Sequence, residues 1–220
     1  MMIHLYGDSH ATHCFKNLKL PHRDLHHPSI TMHRIGRDNQ IIMYQKHEIQ
    51  CGDLIVLTYG EVDCRCHIQR QVDLGIDEDT VISQLVENYF RTIHCNTEGT
   101  GAIILIMGVI PQTRQCDYEK IHGPIAHEFP FVGSDQHRVR YTGKVNEMLE
   151  AFARKNGYFY LNPYLYYTRP DGTLKHELSD TNVHLGDNTV FLEQFVELYE
   201  KIIPRCDAID TMTTPQKSAE

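Results

Sequence analysis

The stretch DLIVLTYGEVDCRCHI, residues 53–68, decides how this chain is folded. Its first seven residues are a short, β-branched apolar run closed by Gly60, with none of the polar alternation of a half-exposed strand. A run of this kind reads as a central strand of a parallel sheet, buried because helices cover both faces. Residues 102–107 (AIILIM) repeat the pattern. The opening residues 3–6 supply a third strand, residues 158–161 a fourth, and residues 31–35, ahead of Gly36, a fifth.

Segments of helical period lie between these strands. Asp79-Thr80 is placed to cap a helix whose Val81, Ile82, Leu85, Val86, Tyr89, Phe90 and Ile93 form one stripe. A second helix starts at Thr142-Gly143, with Val145, Leu149, Phe152 and Ala153 on one face before Gly157. A last helix runs from about residue 187 to residue 203, where Pro204 stops it. Strands alternating with helices predict an α/β fold with a central, mostly parallel five-stranded sheet between two helical layers. The expected organisation is one domain over residues 1–205 followed by a flexible tail, 206–220. Residues 111–141 hold three prolines and no sustained period, and so read as a long excursion over the site.

Composition narrows the function classes. The formal charge is −8 with neutral histidines, which argues against nucleic acid or an anionic membrane as partner. Fifteen histidines make that charge steeply pH-dependent, since protonating all of them moves it from −8 to +7. The seven cysteines are odd in number and scattered, so free thiols are expected rather than a disulfide framework. No apolar run has the length of a membrane span, and Gly7-Asp8 breaks the opening run too early for a secretory leader. These features predict a cytoplasmic protein.

In open α/β sheets ligands bind beyond the carboxyl ends of the strands. There the first strand runs into Gly7-Asp8-Ser9-His10. On its own the tripeptide Gly7-Asp8-Ser9 reads first as a strand-to-helix turn with Ser9 or Asp8 as N-cap. A serine held up for chemistry needs a base, and the base needs a partner that fixes its tautomer. Residues 178–188 (LSDTNVHLGDN) supply both in Asp180 and His184, four residues apart in a polar loop before the last helix.

Taken together, these blocks resemble the SGNH hydrolases, also called the GDSL-type esterases and lipases, over residues 3–203. Gly7-Asp8-Ser9 matches the family's first block, Gly36 its second, Gly60-Glu61-Val62-Asp63 its third, and Asp180 with His184 its last. The third block, continuing into Cys64-Arg65, resembles a branch that reads Gly-Glu-x-Asp-Cys-Arg. The resemblance implies a three-layer, flavodoxin-like fold and acyl transfer through a serine ester, with no cofactor. Ser9 would be the nucleophile, His184 the base and Asp180 its partner, with the backbone N–H groups of Ser9 and Gly36 facing the oxyanion. Asp8 and Gly60 belong to the implied site as parts of its blocks. Two departures stand out. Val62 replaces the family's oxyanion-donating Asn, which leaves Arg65 as the nearest substitute in sequence. The acid–base spacing is one residue longer than usual, which makes Asn182 a helper near the base.

The expected substrate is a carboxylic ester, an acetyl or other acyl group on a carbohydrate or similar polar alcohol. An acyltransferase on the same fold, and a glycan- or protein-binding module without catalysis, are the alternatives. Cys64-Arg65-Cys66-His67 has residue types that suit zinc but lacks a second half with matching spacing, so no metal is expected. The histidine-rich residues 21–33 read as a solvated loop, and Glu61 with Asp63 as paired carboxylates that Arg65 compensates.

Overall fold

A computed structural model describes residues 1–41, 45–125 and 129–213. The strands are β1 (Ile3–Gly7), β2 (His22–His26), β3 (Leu54–Thr58), β4 (Ile103–Met107) and β5 (Phe159–Leu161). Among the described residues they form one five-stranded sheet in the order β2-β1-β3-β4-β5, with every pairing parallel. This is the flavodoxin-like order, whose topological switch point lies between β1 and β3.

The helices are α1 (Ser9–Cys14), α2 (Met32–Asp38), α3 (Ile68–Asp73), α4 (Glu78–Thr97), α5 (Gln115–His122), α6 (Asp135–Lys155), α7 (Tyr164–Tyr167) and α8 (Thr189–Thr213). Alternation along the strands sends Tyr6, Ile55, Leu57, Ile104 and Ile106 into a core with α2, α4 and α6. Leu5, Leu54, Val56, Leu105 and Met107 face a second core with α1 and α8. The result is three layers, with the carboxyl ends of the strands left as the open edge. Among the described residues no helix is long and apolar enough to cross a membrane.

Several elements differ from the sequence reading, each for a physical reason. Residues 31–35 do not form the fifth strand: the Thr31 hydroxyl accepts from the Arg34 N–H at 3.1 Å and starts α2. The fifth strand is β2, a polar, half-exposed edge strand with no apolar run to betray it. The α4 cap is Asp77, two residues earlier than expected, and accepts from the Thr80 N–H at 3.0 Å. Helix α6 begins at Asp135, where the Ser134 hydroxyl caps it by accepting from the His137 N–H, and of its first buried residues, Arg138, Tyr141 and Thr142, only Tyr141 carries an apolar signal. Inside the supposed excursion, α5 likewise buries only Tyr118. Helix α8 passes Pro204, whose fixed φ suits a helix although it donates no hydrogen bond, and so takes in residues 206–213 of the expected tail. Residues 214–220 of that tail lie outside the described residues.

Candidate active site

The Gly7-Asp8-Ser9 turn is shaped by close packing. A Cβ on Gly7 would lie 2.3 Å from Ala11 Cβ and 2.7 Å from the Thr58 carbonyl oxygen, so only glycine lets α1 start this close to β3. Asp8 is the N-cap, its carboxylate accepting from the His10 N–H at 2.8 Å. Asp8 thus fills a structural position at 1% exposure rather than a substrate-facing one. Burial pushes its carboxyl up to about 6. Ser9 follows as the first residue of α1, half-buried at the switch point.

The opposite wall is the loop between residues 178 and 188. It doubles back through a bridge between Ser179 and Leu185, and a Cβ on Gly186 would lie 2.3 Å from the Ser179 carbonyl oxygen. Within this tight loop one Asp180 oxygen accepts from the N–H groups of Asn182 at 2.8 Å and His184 at 3.1 Å. The other lies 2.9 Å from His184 Nδ1. His184 Nε2 stands 3.0 Å from Ser9 Oγ. With Nδ1–H donated to Asp180, Nε2 is the acceptor of the Ser9 hydroxyl proton. Asn182 meets the base's partner through its backbone: its N–H serves Asp180 and its carbonyl accepts from Thr113 Oγ1 at 3.1 Å.

Burial holds His184 down at about 4; the neighbouring imidazoles of His10 and His13 push the same way, against Asp180. It is therefore neutral across the neutral pH range. The His10 ring lies 4.6 Å from that of His184, and the His13 ring stacks on it. Sequence reasoning missed both, since they are two of fifteen histidines and nothing local sets them apart. It also missed Asn188, whose amide donates to the carbonyls of His13, Cys14 and Lys16 and so ties the start of α8 to the end of α1.

Behind His10 lies a buried ion network from the third block. His10 Nε2 is 2.8 Å from Glu61 Oε2, and Arg65 Nε donates to both Glu61 oxygens at 3.0 and 3.2 Å. Burial alone would raise the Glu61 carboxyl, but Arg65 and His10 bring it to about 2. Arg65 also donates to the Phe129 carbonyl at 2.7 Å. Its Nε and Nη1 are thus committed to Glu61 and Phe129, one step behind His10 in the network. Val62 is buried. Asp63, on a π-turn spanning Asp63–His67, accepts from the Met32 and His33 N–H groups and holds α2 in place.

Gly36 sits inside α2, where a Cβ would lie 2.8 Å from Asn88 Cβ on α4. Its lack of a side chain serves the α2–α4 contact. Gly60 does border the sheet edge, at φ +116° and packed so that a Cβ would meet Val109 and Met32 within 2.9 Å. Cys64 and Cys66 are buried thiols. His13, Asp180 and His184 carry ligand-type atoms within 4.8 Å of one another and form the one metal-competent group found among the described residues.

No family model matches the chain. No curated protein matches it either. Solved structures do. A GDSL-like lipase from Bacteroides thetaiotaomicron superposes with a TM-score of 0.53 at 12% identity, covering 93% of this chain and 88% of the lipase. A candidate acylhydrolase from Bacteroides fragilis gives 0.53 at 13% identity, with 93% and 88% covered. The OSK domain of Drosophila Oskar gives 0.52 at 11% identity, with 91% and 86% covered. The chain therefore has the three-layer fold that a GDSL-like lipase also has.

Proposed function

We propose that the protein is a serine hydrolase of the SGNH type that cleaves a carboxylic ester, an O-acyl group such as acetyl on a carbohydrate or other polar alcohol. The observation that carries this reading is the continuous hydrogen-bond path from Ser9 Oγ through both nitrogens of His184 to Asp180. His184 takes the Ser9 proton as Oγ bonds to the ester carbonyl carbon, and Asp180 steadies the imidazolium. Collapse breaks the bond to the alcohol, which leaves with the proton from Nε2. Water then attacks the acyl-serine, giving its proton to the same nitrogen, and releases the acid. With Val62 in place of a side-chain donor, the oxyanion relies on backbone N–H groups such as that of Ser9. Loss of one such donor costs other hydrolases about 3 kcal/mol, so turnover of simple esters is expected to be slow. The free thiols among the described residues favour a cytoplasmic setting.

The test is labelling by a fluorophosphonate probe, read by intact mass on wild type, Ser9→Ala and His184→Ala. Single labelling of the wild type that both substitutions abolish supports an activated Ser9. A folded wild type that takes up no probe overturns the hydrolase in favour of a binding module.

A further inference from the structure

A groove lined by residues of α2, the Asp63–His67 turn and α4 lies one wall away from Ser9. It has a volume of about 620 Å³ and runs between α2, the Asp63–His67 turn and the first half of α4. That volume is in the range of small-molecule sites, roughly 300–1,000 Å³. The Asp63–His67 turn is the shared wall: Arg65 on it joins Glu61 and His10 behind Ser9, while Asp63 and His67 line the groove.

The charge of this groove runs against that of the chain. On a protein of formal charge −8 it is lined by His33, Arg34, Arg37, His67 and Arg70, with Asp63 as the one lining carboxylate. Asp63 is already spent on the Met32 and His33 N–H groups and on His67. Burial would lower His67, but its bond to Asp63 and the nearby Cys66 raise it to about 9, so it is cationic at neutral pH. Asp38, outside the groove, contacts both Arg34 and Arg37 and offsets one of the two charges. Ile76 and Phe129 add apolar surface beside these cations.

We propose that this groove binds a small organic oxyanion, a phosphate or carboxylate, through Arg34 and Arg37 with His33 and His67 beside them. Guanidinium forks are the side chains best matched to such groups. The two sequence motifs otherwise left without a task, the histidine-rich residues 21–33 and Cys64-Arg65-Cys66-His67, each contribute one histidine to it. The size is that of one small molecule rather than a polymer track. Assigning the anion to the acyl-bearing substrate rests on the hydrolase reading; binding of the anion does not.

The experiment uses inorganic pyrophosphate as probe, titrated calorimetrically into the full chain at low salt. The expected result is saturable binding that weakens about tenfold or more in Arg34→Ser/Arg37→Ser, given the strength of charge-assisted contacts. Arg154→Ser/Lys155→Ser, which removes two cations from the end of α6, should leave it unchanged. No saturable binding at millimolar pyrophosphate, unaltered binding in the groove variant, or equal loss in the α6 variant overturns the proposal. A second arm separates the sources of the anion. If it belongs to the substrate, the groove variant raises KM for an acetylated sugar phosphate about tenfold, with kcat and the hydrolysis of a neutral acetate unchanged. If it is a separate effector, pyrophosphate alters hydrolysis of both esters alike. Binding without any esterase activity would sink the hydrolase reading and leave the groove assignment standing.

Discussion

His13 lies flat on His184, with ring centroids 4.1 Å apart and planes inclined by 7°. It shields one face of the proposed base, and burial also holds His13 itself below its ordinary value. Protonation of His184 switches off a base, so kcat/KM should stay level from neutral pH downward and fall only as pH approaches about 4. His13→Ala opens that face to water and removes an imidazole whose own protonation opposes that of His184. Both effects favour the imidazolium, and the acid limb should move up toward the ordinary histidine value, about 6.5. An acid limb already near that value in the wild type, or one unmoved by the substitution, would refute this account of His184.

Glu61 is the hinge of the buried network, facing His10 on one side and Arg65 on the other. Glu61→Gln keeps the shape and removes the charge, leaving the Arg65 guanidinium buried without a counter-ion. Breaking one partner of a buried pair costs about 3–5 kcal/mol in other proteins. A loss of about 3 kcal/mol in urea unfolding at neutral pH is expected. His10, without its carboxylate, should also lose its proton, which nuclear magnetic resonance of the imidazole would report. A variant as stable as the wild type would show that the pair does not hold the third block together.

What the sequence disclosed and what it hid follow from range. Strands β3 and β4 are buried on both faces, so composition alone reveals them, and the short spacing of Asp180 and His184 lets one loop carry both. Edge strand β2 and the first turns of α6 are built from polar residues whose partners lie elsewhere in the chain, such as Gln115, 23 residues from Arg138. The same holds at the site. His10 and His13 matter because a loop some 170 residues away folds over them, and Arg65 is held in space by Glu61, its neighbour in sequence.

Asp8 offers a stability test with a definite sign. Its folded value of about 6 lies above the ordinary 3.8, so the folded state holds more protons between those values. Its contribution is therefore fully present below about 3.8 and is lost as pH rises through about 6. Asn at this position keeps the cap and cannot ionise. Asp8→Asn should be more stable than the wild type at about pH 8 by at least ~1.4 kcal/mol, the equivalent of one pKa unit, and the gap should narrow toward about pH 5. His184 pulls stability the opposite way with pH but does so in both proteins, so the difference isolates Asp8. A gap of the same size at both pH values would show that the carboxyl titrates normally.

Gly36 separates packing from catalysis. A Cβ there would lie 2.8 Å from Asn88 Cβ and 3.2 Å from the Asn88 carbonyl carbon, so Gly36→Ala must push α2 away from α4. Overpacking of this kind costs about 1–3 kcal/mol, partly offset by ~1 kcal/mol from the better helix propensity of alanine. The midpoint of thermal unfolding should fall while kcat/KM per folded molecule holds at the wild-type value, because the added Cβ strains the contact of this position with α4. The opposite pattern, intact stability with kcat reduced a hundredfold or so as when an oxyanion donor is lost, would return Gly36 to the oxyanion site and require α2 to move when substrate binds.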